Sequence, residues 1–187
     1  MIRVADYVVQ FLEDYGVEDI FAVSGGGSIF LCDAVASAKK LKYYCCHHEQ
    51  AVSFAAESYA RQSNSVGGAI VTTGPGGTNS LTGTACAWID SVPVFFVSGQ
   101  VFLNQTIGNS GLRQIGVQEF NIVNMVKPST KYAVIIKKPN EIKYHLEKAY
   151  HISTKGRPGP VWIDIPANIQ NAEINPKTLK TYKPKIK

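Results

Sequence analysis

Residues 68–98 read GAIVTTGPGGTNSLTGTACAWIDSVPVFFVS. A short apolar run from Gly68 to Thr72 is broken by GPGG, and a second apolar run spans Pro93 to Ser98. Between them, Thr78 to about Ile89 reads as a helix. Continuous apolar runs bounded by turn residues read as strands buried on both faces. Strand, glycine loop, helix and strand in that order point to an α/β fold.

The same alternation continues in both directions. Upstream, Asp19–Val23 reads as a strand, SGGGS (residues 24–28) as a loop and Ile29–Ala38 as a helix. Leu41–Cys45 is a second strand, and helix Glu49–Arg61 carries Val52, Ala55, Ala56 and Tyr59 on one side. The chain begins with a helix, in which Val4, Val8, Phe11, Leu12 and Tyr15 fall at helical spacing and Gly16 ends the run. Downstream, residues 99–117 are rich in Gly, Asn and Gln and read as a long functional loop. A short helix at Gln118–Val123, a strand at Lys131–Ile135, a helix at Asn140–Thr154 and a strand at Val161–Ile165 follow, closed by Pro166. The expected architecture is three-layered, a mainly parallel sheet with helices on both faces. One domain is expected over residues 1–170, with 171–187 a linker or tail.

Composition fits a globular domain. Of 187 residues, 45% are hydrophobic and 18% charged. The net charge of +5 could suggest a nucleic-acid partner, but its location argues otherwise. Residues 177–187, KTLKTYKPKIK, hold five Lys and no acid, and the remainder of the chain balances at zero. No basic face is implied, so no nucleic-acid partner is expected. Cys32, Cys45, Cys46 and Cys86 form no CxxC pair and read as reduced thiols of a cytoplasmic protein. The first residues, MIRVADYVVQFLEDYG, carry acids where a signal peptide is apolar, and no apolar run approaches the ~18 residues of a membrane span.

Three segments could carry chemistry. In HHEQAVSFAAESYAR (residues 47–61), Glu49 stands between an apolar strand and a helix. Ligands of open α/β sheets collect at strand carboxyl ends, and a helix N-terminus favours a carboxylate. Glu49 could equally be an ordinary first-turn acid. In TTGPGGTN (residues 72–79) glycines let backbone approach a ligand, yet the segment also reads as a plain tight turn, and no Lys follows to make it a phosphate loop. SGGGS lacks the third glycine of a dinucleotide fingerprint, since that position holds Phe30.

The order of the pieces is more specific than any one of them. SGGG, HHEQA with a helix ending YAR, TTGPGGTNSLTG, DSVPVFFVSGQV, GVQE and RPGPVWIDIP together resemble the pyrimidine-binding domain of thiamine diphosphate enzymes, in particular acetolactate synthases. The resemblance covers about residues 1–170. It implies that Glu49 hydrogen-bonds a nitrogen of the cofactor's aminopyrimidine ring and drives the proton relay that activates the thiazolium. It further implies that Gly26, Thr73, Gly74, Pro75 and Asn79 surround the cofactor and that Gln118 faces the substrate side. His48 matches the histidine before the glutamate, where packing is as good a reading as chemistry; His47, His145 and His151 receive no role.

Two departures lie on the substrate side. The first loop reads Val23-Ser24-Gly25-Gly26 where acetolactate synthases usually have Tyr-Pro-Gly-Gly, and Val117 stands where they usually have Phe. The family's second cofactor domain, which holds the diphosphate through Mg2+, has no counterpart here, so no metal ligand is expected in this chain. The expectation is the pyrimidine-binding part of an acetolactate synthase-like enzyme. It would act on 2-keto acids by decarboxylation and carboligation, in a homo- or hetero-oligomer with a diphosphate-binding domain or subunit. Simple decarboxylation and a non-catalytic partner subunit are the rival readings, with a dinucleotide-binding module behind them.

Overall fold

A computed structural model describes residues 1–184. The chain opens with β1 (Ile2–Arg3), α1 (Val4–Asp14), β2 (Asp19–Ala22), α2 (Ile29–Ala36), β3 (Lys42–Cys45) and α3 (Glu49–Ser63). It continues with β4 (Gly67–Val71), α4 (Pro75–Thr78), α5 (Leu81–Ile89) and β5 (Val94–Gln100). The last elements are α6 (Ile122–Val126), β6 (Tyr132–Ile135), α7 (Ile142–Thr154), β7 (Val161–Pro166), α8 (Ala167–Gln170) and β8 (Glu173–Ile174).

Six strands form one sheet in the order β3-β2-β4-β5-β7-β6, and every neighbouring pair is parallel. Parallel neighbours require a crossover, and the helices supply it. Alternation along the strands sorts the core into two. Ile70, Phe95, Val97, Val161, Ile163 and Ile165 face one layer, with α1, α2 and α7 packed on them. Ala69, Val71, Val94, Phe96 and Trp162 face the other, under α3, Ala87 of α5 and α6. Phe96 and Trp162 are register neighbours on β5 and β7, and their rings stack with centroids 4.8 Å apart. The three-layer α/β arrangement is therefore the one the alternation of strands and helices implies.

The path of the chain places the site. From β2 the sheet grows to one side with β3 and to the other with β4. Ala22 pairs with both Cys45 and Ile70, so the carboxyl ends of these three strands lie level. The loops that leave them carry SGGG, HHE and TTGPGG. Such a switch in strand order opens a crevice at that end of the sheet.

Three segments differ from the sequence reading. The single helix expected from Thr78 to Ile89 is two, α4 and α5, separated at Asn79 and Ser80. The buried Ser80 hydroxyl turns back towards the carbonyls of Glu49, at 3.4 Å, and Gly76, at 3.5 Å, which ties the break to α3. The helix expected at Gln118–Val123 begins later, at Ile122. Gln118 has φ 57°, in the left-handed region, and Asn121 supplies the cap by accepting from the Asn124 amide at 3.1 Å. Residues 171–184 are not a linker. β8 pairs antiparallel with β1, Ile174 and Leu179 are buried in the same core cluster as the inner faces of the sheet, and the Tyr182 amide donates to Glu147 Oε2 at 2.6 Å. Two isolated apolar residues and a two-residue strand leave no periodicity to read, and their partners lie at the other end of the chain. Residues 185–187, the end of the expected tail, lie outside the described residues.

Candidate functional site

Glu49 is the first residue of α3. Beside it, His48 is the N-cap of α3, and its Nδ1 accepts from the Gln50 amide at 3.1 Å. The exposed His48 therefore has a structural role that its side chain already fills. Glu49 itself is only 9% exposed. A buried carboxylate needs donors. Oε2 accepts from Asn79 Nδ2 at 2.9 Å. No described residue donates to Oε1, and a Cβ on Gly76 would stand 3.3 Å from it. The amino end of α3 adds favourable potential at the carboxylate.

Three glycines are required by their surroundings. Gly74 has φ +60°, and a Cβ there would stand 2.0 Å from the Gln118 carbonyl oxygen. The TTGPGG loop and the long loop after β5 thus touch backbone to backbone. A Cβ on Gly27 would stand 1.8 Å from Thr73 Oγ1, and one on Gly25 would overlap the Thr72 side chain at 2.6 Å. Gly26, the glycine singled out by resemblance, is open, with nothing within 4 Å of the same position. Close packing falls on its two neighbours instead.

A cavity of about 350 Å³ lies between these loops. Gly26, Thr73 and Gln118 line it, together with Thr72, Gln100 and Gln105. Among the described residues its lining contains no charged side chain. Glu49, Gly74, Pro75 and Asn79 gather at the adjoining junction of α3 and α4, where Pro75 is exposed in the first turn. Thr72 joins the two groups, since it borders the cavity and lies against Gly76. Its Oγ1 is buried and has no hydrogen-bond partner among the described residues. Thr73 Oγ1, by contrast, donates to the Gly99 carbonyl at 3.3 Å.

Sequence reasoning missed Thr72, Gly25, Gly27 and Gln100. The first three sit inside quoted motifs, and only their contacts distinguish them from their neighbours. Gln100 gave no signal. It ends β5 at 2% exposure, and its Nε2 donates to the Phe120 carbonyl at 2.9 Å and to Asp164 Oδ2 at 3.2 Å. Asp164 also accepts from Ser98 Oγ at 2.6 Å, and Ser98 Oγ accepts from Trp162 Nε1 at 2.7 Å. Full burial pushes the Asp164 carboxyl up to about 7, against the opposing pull of its Ser98 and Gln100 hydrogen bonds. His145 and His151 lie on α7, away from the cavity. Burial holds His145 below the usual histidine range, and its Nδ1 lies 2.6 Å from the Tyr132 hydroxyl.

A switch-point crevice, a buried carboxylate at a helix start and an uncharged cavity between glycine loops define an α/β ligand-binding domain. Its site suits a polar ring better than a phosphate. Residues 2–125 match the family described as thiamine pyrophosphate enzyme, N-terminal TPP binding domain, and the chain belongs to that family. It is 40% identical over 167 residues to the acetolactate synthase large subunit of Haemophilus influenzae, covering 89% of this chain and 28% of the relative. To the probable acetolactate synthase large subunit of Methanocaldococcus jannaschii it is 40% identical over 171 residues, covering 91% and 28%. To the acetolactate synthase isozyme 3 large subunit of Escherichia coli it is 36% identical over 171 residues, covering 91% and 29%. The chain thus spans just over a quarter of the length of these relatives.

Proposed function

We propose that this chain supplies the pyrimidine side of a thiamine diphosphate site in an acetolactate synthase-like enzyme acting on 2-keto acids, by decarboxylation and carboligation. The observation that carries the reading is the buried Glu49 carboxylate, with Oε2 held by Asn79 and Oε1 left clear. That is the arrangement a ring nitrogen needs from an acid–base partner. The unpartnered Thr72 hydroxyl beside it and the open flank of Gly26 also fit a polar ring entering between the loops.

In this role Glu49 holds a shared proton at one oxygen while Asn79 fixes the orientation of the other. Gly26, Thr73, Gly74 and Pro75 form the walls, and Gln118 meets the substrate. When bound, thiamine diphosphate supplies the electron sink for decarboxylation. Magnesium and the diphosphate belong to a second domain or subunit, in a homo- or hetero-oligomer working in the cytoplasm. Among the described residues no three His, Cys, Asp or Glu side chains are grouped to hold a metal ion, and no helix is long and apolar enough to cross a membrane. The relatives' name supports carboligation over simple decarboxylation.

The test is Glu49→Gln in the assembled enzyme. Exchange of the thiazolium C2 proton, followed by NMR, should slow by about a hundredfold or more, the scale of lost general acid–base help. Exchange at the unaltered rate would remove Glu49 from the chemistry.

A further inference from the structure

We propose that Glu119 is a positioning residue for the substrate side of this site, holding the loop after β5 so that Gln118 lines the cavity. The inference rests on the functional reading above and adds a residue to it. Between the short 3-10 turn at Leu103–Gln105 and α6 the chain has no regular secondary structure. Backbone donors in such a stretch need other partners. Glu119 provides them from a buried position, 7% exposed. Its Oε1 accepts from the Ile107 amide at 2.9 Å, and its Oε2 accepts from the Ile115 amide at 3.4 Å. Its own amide donates to the Gly116 carbonyl at 3.1 Å, and the Gly116 amide donates to the Gln105 carbonyl at 2.8 Å. One carboxylate thus gathers both arms of the loop.

The geometry connects this anchor to the cavity through a single peptide. The Glu119 side chain faces a separate hollow shared with Asp164 and Lys137. Val117 and Gln118, the residues just before it, line the cavity. Gln118 holds the left-handed φ of 57°, and its carbonyl occupies the space left by Gly74. A non-glycine residue keeps that conformation only when its surroundings impose it. Glu119 on one side and Gly74 on the other do so. The loop contributes little to the core, since Leu112, Ile115 and Val117 are 58%, 48% and 83% exposed. Loosening it should alter the site and spare the fold.

The experiment compares Glu119→Ala and Glu119→Gln. Amide exchange is measured on the chain, and kinetics and thiamine diphosphate affinity on the assembled enzyme. In the Ala variant, exchange at Ile107 should rise at least about tenfold while β4 and β5 amides keep their protection. KM for the 2-keto acid should rise, or the product ratio shift, by about tenfold, with cofactor affinity within about twofold, as misplacement of a substrate-side group implies. Gln keeps one acceptor oxygen and should recover much of both effects. Unchanged exchange at Ile107 and Ile115 overturns the proposal, as does faster exchange with unchanged KM and product ratio. Lost protection in β4 and β5 in both variants also overturns it, because the carboxylate would then hold the fold and not the loop. An unaltered enzyme without thiamine diphosphate-dependent turnover sinks the functional reading and this one with it. An active enzyme indifferent to Glu119→Ala sinks this one alone.

Discussion

Asp164 ties the chemistry of a single residue to the pH response of the protein. Its folded carboxyl titrates near 7, raised by burial from 3.8. Between those two values the folded state keeps a proton that the unfolded chain has lost. The group's contribution to stability is therefore fully present below about pH 4, declines by about 1.4 kcal/mol per pH unit as pH rises, and levels off above about 7. Urea unfolding at pH 5 and pH 7 should show that slope, and Asp164→Asn should flatten it; equal slopes in the two proteins would count against the account. The glycines of the first loop give a second expectation. Gly27→Ala must displace Thr73 and should cost about 2 kcal/mol or more, whereas Gly26→Ala should stay within about 0.5 kcal/mol. A thermal scan in which Gly26→Ala is the more damaging would reverse it. Residue by residue, the sequence singles out Glu49 as a candidate because a motif order surrounds it. It did not make Thr72 or Gln100 readable, because their roles come from one unpartnered hydroxyl and one doubly used amide, which no spacing encodes.

The elements of the sheet were legible because their apolar runs are continuous and the helices between them have ordinary length. β4 and β5 are buried at every position, as two-sided strands must be. What escaped the sequence were elements defined by partners. α6 starts at its Asn121 cap and not at Gln118, whose left-handed backbone is set by contact with Gly74. β8 exists because β1 is there to receive it. The segment after it has an energetic consequence. Leu179 is 8% exposed and belongs to the main core cluster, and Tyr182 meets Tyr144 edge-on at 5.5 Å. Removing residues 177–187 should lower stability by about 2 kcal/mol, the low end for a buried leucine lost from a core. An unchanged denaturation midpoint would mean that the contacts of Leu179 and Tyr182 contribute nothing in solution.

At the scale of the molecule, the site is one-sided. Every residue assigned to the cofactor lies at one end of the sheet, and the cavity there is lined by glycines, threonines, glutamines and apolar side chains. Such a lining suits a ring that hydrogen-bonds and stacks. Among the described residues the lining offers no cation to a diphosphate, which is usually held by cations or a metal with oxygen ligands. Apolar side chains stand exposed at the same rim, with Phe102 48% and Val117 83% accessible. Exposed apolar surface around a polar cavity is the kind that another protein surface covers. The 187-residue chain alone is therefore expected to bind thiamine diphosphate and magnesium weakly, and to leave pyruvate unconsumed. Adding a protein that carries the diphosphate site should restore magnesium-dependent binding and turnover together, because the two halves of the cofactor are then held at once. Calorimetry with the chain alone and with such a partner measures this directly. Tight magnesium-dependent binding by the chain alone would show that the diphosphate finds ligands within these residues, and the division of labour argued here would fall.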